Sequence, residues 1–148
     1  MKRRELLAGA GAVVSAVAAG KIAQAAGMDH SMHNHDHGGV YSALIDAASE
    51  CNKVALACEK HCFDTFAMGD TSLAACAREV NEMIAICEAT IKAATLEARY
   101  IKELIAICKK SGEACRAECL KHVKKHDICR IAAEACDKCV QECDKALS

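Results

Sequence analysis

From Tyr41 to the end of the chain, apolar and cysteine positions recur at steps of three, four, seven and eleven, the period of a helix with one buried face. The pattern predicts four helices. The first covers Tyr41–Phe66 and turns Leu44, Ala48, Cys51, Ala55, Cys58 and Cys62 inward. Met68-Gly69-Asp70 ends it, with Gly69 just past the last turn and Asp70 or Thr71 capping the second helix. That second helix covers Ser72–Ala93 with Cys76, Val80, Met83 and Cys87 inward, and the third covers Leu96–Val123. No glycine or proline marks the break near Ala94 and Thr95; it is placed there because one helix over residues 72–122 would be abnormally long. After Lys124-Lys125-His126, Asp127 caps a fourth helix over Ile128–Ala146. Helices of similar length joined by short links form an antiparallel up-down-up-down four-helix bundle, so the expected class is all-α.

Composition agrees. In 148 residues, 53% are hydrophobic but only 3% aromatic, with no Trp and no Pro, which suits helices and not a β-sandwich. The net charge of -1 and the lack of a basic stripe with interleaved aromatics argue against nucleic acid as a partner. The first 25 residues read as a cleaved leader: a basic start, an apolar run Leu6–Ala19 too short to span a membrane, and Ala23-Gln24-Ala25 as a cleavage site. Arg3-Arg4 before Glu5-Leu6-Leu7 resembles a twin-arginine export signal, which predicts a periplasmic protein without membrane insertion once the leader is removed. Residues 26–39 form a flexible tail in which His30, His33, His35, His37, Met28 and Met32 favour metal contact, copper above all. Residues 40–148 are left for the bundle.

The candidate chemistry lies in twelve cysteines. Cys51, Cys58 and Cys62 repeat the seven-then-four spacing of Cys108, Cys115 and Cys119; Cys76 and Cys87 lie eleven apart, and Cys129, Cys136, Cys139 and Cys143 complete the fourth stripe. At about 1.5 Å of rise per residue, alternating helices put Cys51, Cys87, Cys108 and Cys143 at one level. Cys62, Cys76, Cys119 and Cys129 fall at a second level, and Cys58, Cys115, Cys136 and Cys139 lie between, with Met83 and Val80 from the second helix. The predicted core is a tube of thiols.

Several uses of such a tube compete. Disulfides suit an even count in an exported chain, but i,i+4 cysteines hold their Cβ atoms about 5–6 Å apart, against about 3.8 Å in a disulfide. Cross-helix pairs, and with them a disulfide-stabilised structural bundle, stay open. Structural zinc favours paired Cys-x-x-Cys knuckles, and only Cys136 and Cys139 have that spacing. A zinc or cadmium thiolate buffer of metallothionein type is the remaining metal alternative. Cu(I) is soft and needs few ligands, so neighbouring thiolates along a helix can each hold and bridge ions, about one per cysteine. Cys58-Cys62, Cys115-Cys119 and Cys139-Cys143 are the Cys-x-x-x-Cys pairs suited to it. No nucleophile elbow, phosphate loop or metalloprotease motif argues for an enzyme. Copper is expected to enter at the tail end; His61, Met68, His122 and His126 mark the opposite end as a second entrance or as solvated helix ends.

Stripes such as CNKVALACEKHC, SLAACAREVNEMIAIC and CRAECLKH, together with the Arg3-Arg4 leader and the His/Met tail, resemble the bacterial copper storage proteins, and their exported twin-arginine branch in particular. The resemblance implies a four-helix bundle that assembles into a homotetramer and fills its core with Cu(I) held by all twelve cysteines. It also implies a recipient copper enzyme, such as the membrane methane monooxygenase of methane oxidisers. The second helix has the thinnest stripe, and Met83 there either completes a site or packs.

Overall fold

Alanine, leucine, isoleucine, glutamate and lysine fill the segments between the predicted breaks, and the computed structural model forms four α-helices from them: α1 (Ser42–Ala67), α2 (Ala74–Thr95), α3 (Ile101–Leu120) and α4 (Asp127–Leu147). The structure describes residues 39–148; the predicted leader and the His/Met-rich tail up to residue 38 lie outside the described residues. Among the described residues there is no strand. The α1 backbone packs against α2 and α4, and that of α3 against the same two, with the diagonal helices meeting only through side chains at the axis, so the helices form a four-cornered antiparallel bundle.

The helix ends explain where the boundaries differ from expectation. α1 stops as predicted. Gly69 takes a left-handed φ of 83°, and the Gly69 and Asp70 amides donate to the Phe66 and Thr65 carbonyls, closing a Schellman turn. Asp70 does not cap α2 directly. Its carboxylate accepts the Ser72 amide at 2.8 Å, making a local turn that delays the helix to Ala74 instead of Ser72. α2 ends with the same Schellman pair, Glu97 to Ala94 and Ala98 to Ala93, and Glu97 holds the left-handed position at φ 46°. Residues 96–100 therefore form a link, and α3 begins at Ile101 where Leu96 was predicted. α3 also ends early, at Leu120 and not Val123, because residues 121–125 wind into turns. His126, in extended conformation, precedes α4, so Asp127 is its first helical residue and not its cap.

All six inward residues predicted for α1 and all four predicted for α2 are buried. Small residues separate the thiols: Ala48, Ala55, Ser111, Gly112, Ala132, Ala133 and Ala135 are buried and let the helices approach closely. The register of α3 on α4 is fixed at the surface by Lys109–Asp144 at 2.5 Å and Arg116–Asp137 at 3.0 Å, and α1 meets α2 through Asn81–Glu59 at 2.7 Å. Such exposed pairs orient more than they stabilise.

α3 approaches α4 closely at Gly112. A Cβ there would lie 2.8 Å from Val140 Cγ2, and valine is stiff at χ1. Gly112→Ala gains about 1 kcal/mol of helix propensity but forces an overpacking cost of about 1–3 kcal/mol. The single variant is expected to lose about 1 kcal/mol in denaturation of the reduced protein, whereas the same change in a Val140→Ala background should gain stability relative to Val140→Ala alone. A single variant as stable as the parent would contradict the close contact.

Candidate metal centre

Helical periodicity turns one stripe of each helix to the axis, and all twelve cysteines lie there, buried and unpaired. Three sulfur pairs in hydrogen-bond contact cross between helices: Cys51–Cys136 at 3.8 Å, Cys76–Cys119 at 3.8 Å and Cys108–Cys139 at 3.9 Å. These are contacts between thiols, far beyond the ~2.05 Å of a disulfide bond. Three groups of three bring their sulfurs within 4.8 Å of one another: Cys51, Cys87, Cys139; Cys108, Cys139, Cys143; and Cys58, Cys76, Cys129. Cys115 joins Cys136 to Cys119, and Cys62 joins Cys76. The twelve thiols thus form one connected column.

The expected levels need correction. The level counting sets Cys51 beside Cys143, and Cys129 beside Cys62. Cys51 with Cys87, Cys108 with Cys143, and Cys76 with Cys119 and Cys129 meet as counted, but Cys51 also meets Cys136 and Cys139, and Cys129 also meets Cys58. The cause is the unequal overhang of the helices: nine residues of α1 follow Cys58, whereas only two of α2 precede Cys76. Counting from a common height at the links is off by about one turn. Two of the predicted Cys-x-x-x-Cys pairs remain neighbours, Cys139 with Cys143 and Cys115 with Cys119.

Crowded thiols share protons. Cys51 is lowered by hydrogen bonds from Cys136, Cys139 and Cys87, and Cys108 by those from Cys139, Cys143 and Cys87. Hydrogen bonds from Cys119 and then Cys136 bring Cys115 down to about 5 against the opposing effect of burial. Their donors move the other way: Cys139 is raised by Cys108, Cys136 and Cys119 by Cys115, and Cys143 is pushed up to about 12 by Cys108 and then burial. For Cys129, the bond to Cys58 lowers the value, but Cys76 and burial outweigh it and leave about 11. A Cys129 thiol held in that range near the start of α4 is a poor nucleophile. Thr90, not among the residues expected from the sequence, is fully buried beside Cys108 and helps to lower it. Its signal was available, since Thr90 continues the α2 stripe three residues beyond Cys87.

The two ends of the column differ. Beyond Cys51 and Cys108, Leu44, Ala94, Ile101 and Ile105 are buried and close the end where α1 begins. The expected tail-end entrance meets this aliphatic plug. At the opposite end, Leu73 and Thr65 are the only fully buried side chains beyond the last thiols among the described residues. There His61 Nε2 and His126 Nδ1 lie 2.9 Å apart, and His122 Nε2 lies 3.4 Å from Glu118 Oε1. Burial and the neighbouring His61 lower the pKa of His126, so its ring is neutral and able to bind a metal. Met68 is exposed at the end of α1.

A family model described as copper storage protein matches residues 38–148. Among solved structures, the chain is similar to a Cu(I)-bound copper storage protein named BsCsp3, with 30% identity over 74% of this chain and 99% of that one and a TM-score of 0.66. It is also similar to the apo Csp3 of Bacillus subtilis, at 32% identity over 72% and 97% of the two chains with a TM-score of 0.63. A cytosolic copper storage protein from Streptomyces lividans, in a structure with five coppers, shares 27% identity over 73% and 92% with a TM-score of 0.67. No match is found among curated protein sequences.

The shared protons make apo stability depend on pH. Cys115 binds its proton more weakly folded, at about 5, than unfolded, at about 8.5, so its contribution is present above the unfolded value and is lost as pH falls through 5. Cys143, raised to about 12, contributes below the unfolded value and loses that contribution as pH rises toward 12. Apo stability is therefore expected to rise from pH 5 to about 8.5 and to fall above it. The ultraviolet thiolate absorbance should contain a component titrating near pH 5 that Cys115→Ser removes; a single titration near 8.5 would contradict the shared-proton column.

Proposed function

The chain belongs to the copper storage protein family, and from that we propose that its thiol column holds about one Cu(I) per cysteine for later supply or detoxification. The observation that carries this reading is the single connected column of twelve buried, unpaired thiols. At one Cu(I) per thiolate the ions balance the thiolate charge, so the filled dry core carries no net charge. Zinc with four thiolates would leave two negative charges per site in the core, and the groups of three that share Cys139 supply no separate tetrahedral set. The zinc or cadmium buffer and the disulfide bundle are therefore disfavoured.

Entry is best assigned to the histidine end. His61 and His126 place imidazole nitrogens outside Cys62, while aliphatic side chains close the far end. The leader residues Arg3-Arg4 and Ala23-Gln24-Ala25 support export by the twin-arginine route, after folding and copper loading in a reducing compartment. No described helix is long and apolar enough to cross a membrane. Leu56 and Phe63, seven residues apart on the outward side of α1, are about half exposed and give an apolar surface for assembly into a homotetramer. Release would serve a recipient copper enzyme, and the chain itself has a binding role and no catalytic one. The His30–His37 segment, with Met28 and Met32, is suited to collecting copper before it enters.

Titration of the reduced protein with Cu(I) against a chromophoric chelator, with thiols counted on the same sample, is expected to saturate near one copper per cysteine. Saturation at about three or four ions per chain, with zinc retained as well or better, would replace storage by a tetrathiolate buffer. The His61→Ala, His126→Ala double variant should load several-fold more slowly to the same final copper content; an unchanged rate would remove the histidine entrance.

A further inference from the structure

The α2 stripe has two cysteines where α1 and α3 each have three, and Met83 stands in the gap. It lies seven residues after Cys76 and four before Cys87, the same seven-then-four spacing as Cys51, Cys58, Cys62 and as Cys108, Cys115, Cys119. We propose that Met83 is a thirteenth sulfur ligand, whose thioether joins Cys51 and Cys136 on a Cu(I) at the middle of the column. This deepens the storage reading and rests on it.

The position of the side chain carries the inference. Met83 is completely buried, and its stripe connects Cys87 in one group of three thiols to Cys76 in another. Between those groups the column is thin, since the connection runs through the Cys51–Cys136 contact and Cys115. Beside Met83, α3 places Gly112, which adds no side chain of its own. A Cβ built there would lie 3.6 Å from Met83 Cε and 3.8 Å from the Cys136 carbonyl oxygen, so the end of the methionine occupies the space beside Cys136 that α3 leaves free.

Chemistry distinguishes this residue from ordinary packing. Val80, on the same stripe, shows that an aliphatic residue is accommodated in the core of α2. A thioether adds a soft donor without adding a charge. With Cys51 and Cys136 both ionised around one Cu(I), the site already carries a net negative charge, and a third thiolate would increase it. Methionine completes the coordination at no such cost. Because it replaces no proton and adds no charge, it strengthens the hold on one ion and leaves the total capacity unchanged.

The test uses the reduced full chain labelled with methyl-13C methionine, with Met83 assigned through Met83→Leu and the other methionines through their own leucine variants. On Cu(I) loading, the Met83 methyl resonance should shift. Met83→Leu, which conserves volume, should reach the same copper content but surrender one ion at on the order of tenfold lower chelator concentration. An unmoved Met83 resonance at normal saturation, together with an unchanged retention curve, overturns the role of Met83 alone. Should Met83→Leu fail to fold, the resonance in the parent protein, assigned by elimination, decides. Saturation of the parent at about three or four ions overturns the storage reading, and this inference with it.

Discussion

A thiolate in a dry protein interior needs a positive partner within bonding distance, and most features of this bundle derive from that need. Without metal, the partner is a neighbour's proton: Cys51, Cys108 and Cys115 are held ionisable by S–H donors on Cys136, Cys139 and Cys119. With a monovalent metal, the partner is the ion itself. Both states keep the core close to the same charge, so an identical set of helices serves empty and filled. A divalent ion breaks that balance, which is why spacing and charge favour Cu(I) over zinc more strongly than thiol softness alone.

Close packing is the second requirement. Cysteine is small, and a bundle lined with it needs helices that approach nearer than leucine cores allow. Alanines at 48, 55, 132, 133 and 135 and the absent side chain at Gly112 meet that need. The same narrowness draws thiols from different helices into contact at 3.8–3.9 Å, so cross-helix neighbours matter as much as the pairs within one helix.

The buried stripes could be read from the sequence because 3.6-residue periodicity acts locally, and every cysteine assigned to the interior lies there. Three things were hidden. The end of α2 carries Glu97 in the left-handed position where glycine is the usual sign, so no residue type announced the turn. The axial match of the helices depends on how far each overhangs its link, and no local pattern encodes that. The plug of Leu44, Ile101 and Ile105 was not recognised as a barrier because each residue, taken alone, is an ordinary core position. Its effect appears only when the helices are assembled and one end of the column is seen to be closed.

That closed end gives the column a memory of order. A line of sites with one opening fills inward and empties outward, so the ion that arrives last leaves first. Copper near Cys108 and Cys143, beside the plug, would exchange slowly and act as a reserve, whereas copper near Cys62 would turn over with each change in demand. One protein would then combine a fast and a slow pool without a second kind of site.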